Sequence, residues 1–123
     1  MDVEKSGFGP DFKWGVSTAA YQVEGAFNLY GKGKSIWDVF SATKGKIFEG
    51  HNGNIACDFY RRYTHDILLM ASLGIPNFRF SLSWSRIIPN GTGTVNPVGI
   101  EFYNRVIDFC LELNIEPWIT LYH

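Results

Sequence analysis

The chain is poor in cysteine, in net charge and in long apolar runs. Its 123 residues carry 2 cysteines, Cys57 and Cys110, too few for the disulfide framework that stabilises small secreted domains. Each reads as a small apolar residue on its own helix, packed into the core, and no disulfide is expected. Lys and Arg number 11 against 12 Asp and Glu, a formal net charge of -1 with no basic cluster, which argues against a nucleic-acid partner. No apolar stretch reaches the roughly 18 residues of a bilayer-spanning helix. The start, with Asp2, Glu4 and Lys5, lacks the basic and apolar segments of a signal peptide. No membrane partner is expected, and the sequence reads as cytoplasmic.

Aromatic rings, by contrast, are abundant: 4 Trp, 6 Tyr and 10 Phe. Such rings fill a core or stack on apolar ligand faces, and their number alone favours core filling. Trp14, Trp37 and Trp84 are each read first as packing residues. Strand-like and helix-like segments then take turns. Phe12–Ser17 reads as a short strand, followed by a long excursion rich in glycine as far as Gly53, with a helix near Ser35–Ser41 capped by Ser35 and showing Ile36, Trp37 and Phe40 on one face. From Asn54 to Leu73 the period is helical, with Ala56, Phe59, Tyr60, Tyr63, Ile67, Met70 and Ala71 on one side and Gly74 as a left-handed stop.

Phe78–Ser83 alternates apolar and polar residues and is the clearest strand. Asn96-Pro97 supplies a capping side chain and a first-turn proline for a helix whose buried face includes Phe102, Tyr103, Val106, Ile107, Cys110 and Leu113, with Glu101 and Arg105 paired on its wet side. Ile115–Tyr122 closes the series as a third strand. This alternation predicts an α/β fold of parallel strands joined by crossover helices. Three strands fit the opening of an eight-stranded barrel of about 250 residues or of an open sheet. No Gly-x-Gly-x-x-Gly turn follows the first strand, which disfavours a dinucleotide fold, and no cofactor is expected.

Five blocks carry a resemblance. They are Phe12 to Gly25 (FKWGVSTAAYQVEG), Gly31-Lys32-Gly33 with Ser35-Ile36-Trp37-Asp38, Ala56-Cys57-Asp58 through Tyr63, Arg79-Phe80-Ser81 with Ser83-Trp84-Ser85-Arg86-Ile87 and Pro89, and Thr120-Leu121-Tyr122-His123. In order and spacing they resemble the N-terminal portion of glycoside hydrolase family 1, the β-glucosidase family. Ser17, Lys34 and His65 depart from its common pattern, away from the positions where the family does chemistry.

The resemblance implies the N-terminal part, about three βα strands, of a TIM (β/α)8 barrel, with residues 1–123 forming an incomplete barrel domain. It also implies a retaining hydrolase of β-linked glucosides or related glycosides, working through two carboxyls about 5 to 5.5 Å apart. The family's Asn-Glu-Pro and Thr-Glu-Asn-Gly motifs, which hold those carboxyls, do not occur here. Asn114-Ile115-Glu116-Pro117 has an inserted residue, and Glu116 falls at the start of a strand, away from a barrel's catalytic end. No catalytic carboxylate is therefore assigned within this chain.

Gln22 and His123 match glycone-binding residues of the family, and Arg79 matches the arginine that orients the nucleophilic glutamate. Arg79 shares a strand face with Ser81 and Ser83, opposite Phe78, Phe80 and Leu82, and a guanidinium pointing into a barrel needs an anion. Ile119 and Leu121 are placed with Arg79 on that interior face. The chain alone is expected to be inactive, and to be ordered by the remaining barrel segments or by self-association. A noncatalytic sugar-binding or assembly module is the alternative.

Overall fold

A computed structural model describes residues 4–123; Asp2, part of the charged start, lies outside them. In chain order the elements are β1 (Val16–Thr18), α1 (Ala20–Val23), α2 (Ile36–Ala42), α3 (Phe59–Ser72), β2 (Asn77–Ser81), α4 (Trp84–Ile87), α5 (Pro97–Glu112) and β3 (Glu116–Thr120). The strands make one parallel sheet in the order β1-β2-β3, and α3 packs on α5. This is the crossover arrangement that the alternation implies.

Strand parity sorts the sheet into two chemical faces. Phe78 and Phe80 turn toward the helices and are buried with Phe59, Ile67, Phe102, Val106, Cys110 and Ile115 in one cluster. Removing such side chains from water is worth about 1.5–3 kcal/mol each. Arg79 points the other way, in register with Ser17 of β1 and Trp118 of β3. Ile119 pairs with Phe80 and so lies on the helix side, while Leu121 follows the strand's end. The β3 residues on Arg79's face are thus Trp118 and Thr120, a correction of one residue in register. Trp118 Nε1 donates to Asn77 Oδ1 across that face at 3.1 Å.

Several boundaries shift for local reasons. β1 starts only at Val16, because its partner begins at Asn77, whose amide donates to the Trp14 carbonyl at 2.6 Å. Gly15 is pressed against the Asn77 carbonyl, where a Cβ would stand 2.6 Å away. Phe12 and Trp14 instead join Phe8 in an aromatic cluster with ring centroids 4.8–5.0 Å apart.

α3 begins at Phe59 rather than Asn54. Ala56 and Asp58 adopt left-handed backbone, with φ of 50° and 53°, which a helix cannot continue through. Ala56 is accordingly exposed instead of lining the apolar face, and Cys57 is an exposed turn residue rather than a helical core residue. Cys110 is buried as expected, and both thiols are free. Burial pushes the Cys110 thiol up to about 11, which keeps it unreactive.

Gly74 takes the left-handed stop with φ 68°, and the Glu101–Arg105 pair forms at 3.2 Å. Asn96 precedes Pro97 at the start of α5, yet its side chain does not cap the helix. It donates instead to the carbonyls of Tyr30 and Arg86, both at 2.9 Å, and pins the long first loop to α4.

Candidate functional site

The chain after each strand's carboxyl end contributes to one open cavity of about 770 Å3. Gln22 comes from α1, which starts immediately after β1 and is fixed there because the Ala20 N–H donates to Ser81 Oγ at 2.9 Å. His123 comes from the segment after β3. Both are exposed and both line this cavity, so residues from the two outer strands of the sheet meet in one cleft. Trp37 and Trp84 line it too. They are 47% and 42% exposed, so neither is the core residue that the aromatic count suggested. Trp14, half-buried in its cluster, is nearer that expectation.

Arg79 is placed on the sheet's open face below the cleft. Its Nε donates to Thr120 Oγ1 at 2.7 Å and its Nη1 to Ser17 Oγ at 3.3 Å. Its Nη2 lies 3.5 Å from His123 Nδ1. A guanidinium can only donate, so this contact requires Nδ1 to carry the lone pair and leaves the proton of a neutral ring on Nε2. Among the described residues no carboxylate is bonded to Arg79. Glu116, at the opposite end of β3, pairs with Lys13 at 3.2 Å on the surface.

Glu24, by contrast, is locked in a buried network that the sequence did not signal as a unit. Its carboxylate accepts from Arg86 Nε at 3.0 Å and from the Tyr103 hydroxyl. Arg86 also donates to the Gly25 carbonyl at 3.1 Å, and its guanidinium lies 4.5 Å from the Tyr60 ring centroid. Burial raises the Glu24 carboxyl above its usual range, partly offset by the Arg86 charge and the Tyr103 hydrogen bond. Burial together with the Glu24 charge pushes the Tyr103 phenol well above its usual range. Tyr103 therefore stays the donor, and it accepts in turn from the Ser83 N–H at 2.7 Å. The network ties the chain after Gln22 to the segment bearing Trp84.

A second pair shapes the cleft wall. Lys32 Nζ and Asp38 Oδ2 are 2.7 Å apart, both buried, and Asp38 closes a capping box with Ser35 at the start of α2. Burial works against the charged Asp38, but the hydrogen bonds from Lys32 and Ser35 prevail and hold its carboxyl below the usual range. Tyr21 then pins α2 to the loop that follows it: its hydroxyl donates to Ser41 Oγ at 2.8 Å and accepts from the Gly53 N–H at 3.0 Å. A Cβ on Gly53 would stand 2.7 Å from the Tyr21 carbonyl, so the close approach itself calls for glycine. No group of three metal-ligand side chains is gathered among the described residues, and no helix is long and apolar enough to cross a membrane.

Comparison with known proteins identifies the family and the fold. The chain is 54% identical over 121 residues to beta-glucosidase A of Acetivibrio thermocellus, covering 98% of this chain and 27% of that protein. It is 51% identical to an aryl-phospho-beta-D-glucosidase of Bacillus subtilis, covering 94% and 24% respectively. Among solved structures, the family 1 β-glucosidase of Thermotoga maritima superposes with a TM-score of 0.91 at 50% identity, over 93% of this chain and 26% of that one. That enzyme has also been solved in complex with galacto-hydroximolactam and with cyclophellitol. The chain thus spans about a quarter of the length of the relatives it matches. Its three strands form part of the barrel fold of those enzymes. With the sequence model described as Glycosyl hydrolase family 1 matching residues 4–123, the chain belongs to that family.

Proposed function

We propose that this chain supplies the glycone-holding part of a retaining β-glucosidase-like hydrolase, while the acid/base and nucleophilic carboxylates come from segments outside its 123 residues. Gln22 binds sugar hydroxyls through an amide that both donates and accepts, and His123 donates from Nε2. Arg79 holds the nucleophilic carboxylate ionised and aligned, as a charge-assisted donor does. The observation that carries this reading is the meeting of Gln22 and His123 in one cleft, with Arg79 bonded toward His123 beneath it.

A retaining reaction needs a carboxylic acid to protonate the leaving oxygen and a carboxylate to attack the sugar, about 5 to 5.5 Å apart. Glu24 is committed to Arg86, and Glu116 sits at the far end of the sheet. The chain by itself should therefore not turn over an aryl β-glucoside. Turnover that persists in homogeneous protein and disappears on substitution of Glu24 or Glu49 would overturn the proposal. In the complete enzyme, Gln22→Ala or His123→Ala should each weaken transition-state binding by about 1.5 to 3 kcal/mol, through lost hydrogen bonds to sugar hydroxyls. Unchanged kcat/KM in both variants would remove them from the site.

A further inference from the structure

Gln22 is carried by a helix too short to hold its own shape. α1 has 4 residues, and fixing the backbone of a single helical turn costs more than its few internal bonds offset. Its place is set by bonds to other elements. At its start the Ala20 N–H donates to Ser81 Oγ at the end of β2, at 2.9 Å. At its far end the Glu24 carbonyl accepts from the Tyr60 N–H at the head of α3, also at 2.9 Å. The Glu24 carboxylate accepts from Arg86 of α4 and from Tyr103 of α5. Gly25 adds no slack, because a Cβ there would stand 2.2 Å from the Ile55 carbonyl oxygen.

Tyr103 joins the segments that follow two different strands. Its hydroxyl donates to Glu24, two residues beyond Gln22 in the segment after β1, and accepts from the Ser83 N–H in the segment after β2. Glu24, Arg86, Tyr103 and Ser81 are all buried within the chain's own packing, so this junction does not depend on what covers the open face of the sheet. A buried ion pair is a poor device for stability alone, because loss of hydration offsets much of its attraction. Here Arg86 Nη1 is also buried without a hydrogen-bond partner among the described residues. What such a junction supplies, and apolar packing does not, is direction: each bond fixes a distance and an angle.

We infer that the Tyr103 hydroxyl is a positioning group for sugar binding: by clamping Glu24 to the Ser83 N–H it fixes the far end of α1, and with it the direction in which Gln22 presents its amide to the cleft. Tyr103 is not among the residues lining that cleft, and it acts only through Glu24 and α1. The inference rests on the glycone reading of Gln22.

The test is a double-mutant cycle on kcat/KM for an aryl β-glucoside in the complete enzyme, with melting curves to show that each variant is folded at the assay temperature. Gln22→Ala should lower kcat/KM about 10- to 150-fold. Tyr103→Phe, which keeps the ring and removes the clamp, should lower it about 5- to 20-fold through the displaced amide. The double variant should fall within about 2-fold of Gln22→Ala, because a clamp on an amide that is gone has nothing left to position. In ligand-free enzyme labelled with 15N-glutamine, the Gln22 side-chain signals, identified by their loss in Gln22→Ala, should shift and broaden in Tyr103→Phe.

Losses that multiply in the double variant, or Gln22 signals unmoved by Tyr103→Phe, would overturn the positioning role and leave the glycone reading standing. An unchanged kcat/KM in Gln22→Ala would sink the glycone reading and the positioning role with it. Should Tyr103→Phe fail to fold, Ser81→Ala frees the other end of α1 and leaves the buried pair intact. Its loss should likewise vanish in the Gln22→Ala background, and losses that multiply there would overturn the claim that the anchors of α1 direct Gln22.

Discussion

Arg79 and Arg86 stand close together in sequence and in opposite conditions. Arg86 is 0% exposed, and what makes that tolerable is inside the chain: the Glu24 carboxylate, the Gly25 carbonyl and the Tyr60 ring. Arg79 lies half-exposed on the other face of the sheet, and its partners are two hydroxyls and an imidazole nitrogen. Burying an unpaired guanidinium costs several kcal/mol, so the first arginine needs its local carboxylate whereas the second tolerates neutral partners only while it stays partly wet. The contrast divides the molecule into a helix-facing side whose buried arginine has its counter-charge within the chain and an open face whose arginine meets only neutral partners.

The largest expected effect lies on the finished side. Phe102→Ala removes a fully buried ring packed on Tyr60 at 4.3 Å, and should cost about 3–5 kcal/mol in denaturant unfolding. Glu24→Gln leaves Arg86 buried without its counter-charge and should cost about 3 kcal/mol. A loss under about 1 kcal/mol would mean that the network is not what holds α4 against α1.

The Lys32–Asp38 pair gives a pH signature. The folded-state pKa of Asp38 is lowered from its ordinary 3.8, so its contribution is present above that value and is lost as pH falls through the lower folded value. Melting scans below about pH 4 should show an acid-side loss that Asp38→Asn abolishes, at the cost of lower stability at pH 7. The smallest effect belongs to the exposed Glu101–Arg105 pair, where Glu101→Ala should cost about 0.3–0.5 kcal/mol, and less in high salt.

What was legible in the sequence follows the same division. The period-two pattern of Phe78–Leu82 and the helical period of Phe102–Cys110 report burial on one side, and both described the finished core correctly. The helical pattern runs on past the true start of α3, because Ala56 and Asp58 interrupt the helix through backbone conformation, which an apolar pattern does not encode. The face of Ile119 is not legible because Ile115–Tyr122 lacks the regular apolar–polar alternation that sets parity. Asn96 has the sequence context of a cap but serves as a loop clamp, its Nδ2 donating to the carbonyls of Tyr30 and Arg86. Only the resemblance places Gln22 and His123 in one cleft, and nothing local in the sequence announces the pin of Tyr21 on Gly53 between such separated residues.

The most direct test of the contrast is equilibrium unfolding of Arg86→Met and Arg79→Met side by side at neutral pH. Arg86→Met should lose about 3–5 kcal/mol, because it strands the buried Glu24 carboxylate, and Arg79→Met should lose no more than about 1 kcal/mol, because its partners are neutral and reachable by water. An Arg79→Met loss equal to or larger than that of Arg86→Met would show that the open face is a finished part of this chain's own structure and would contradict the account.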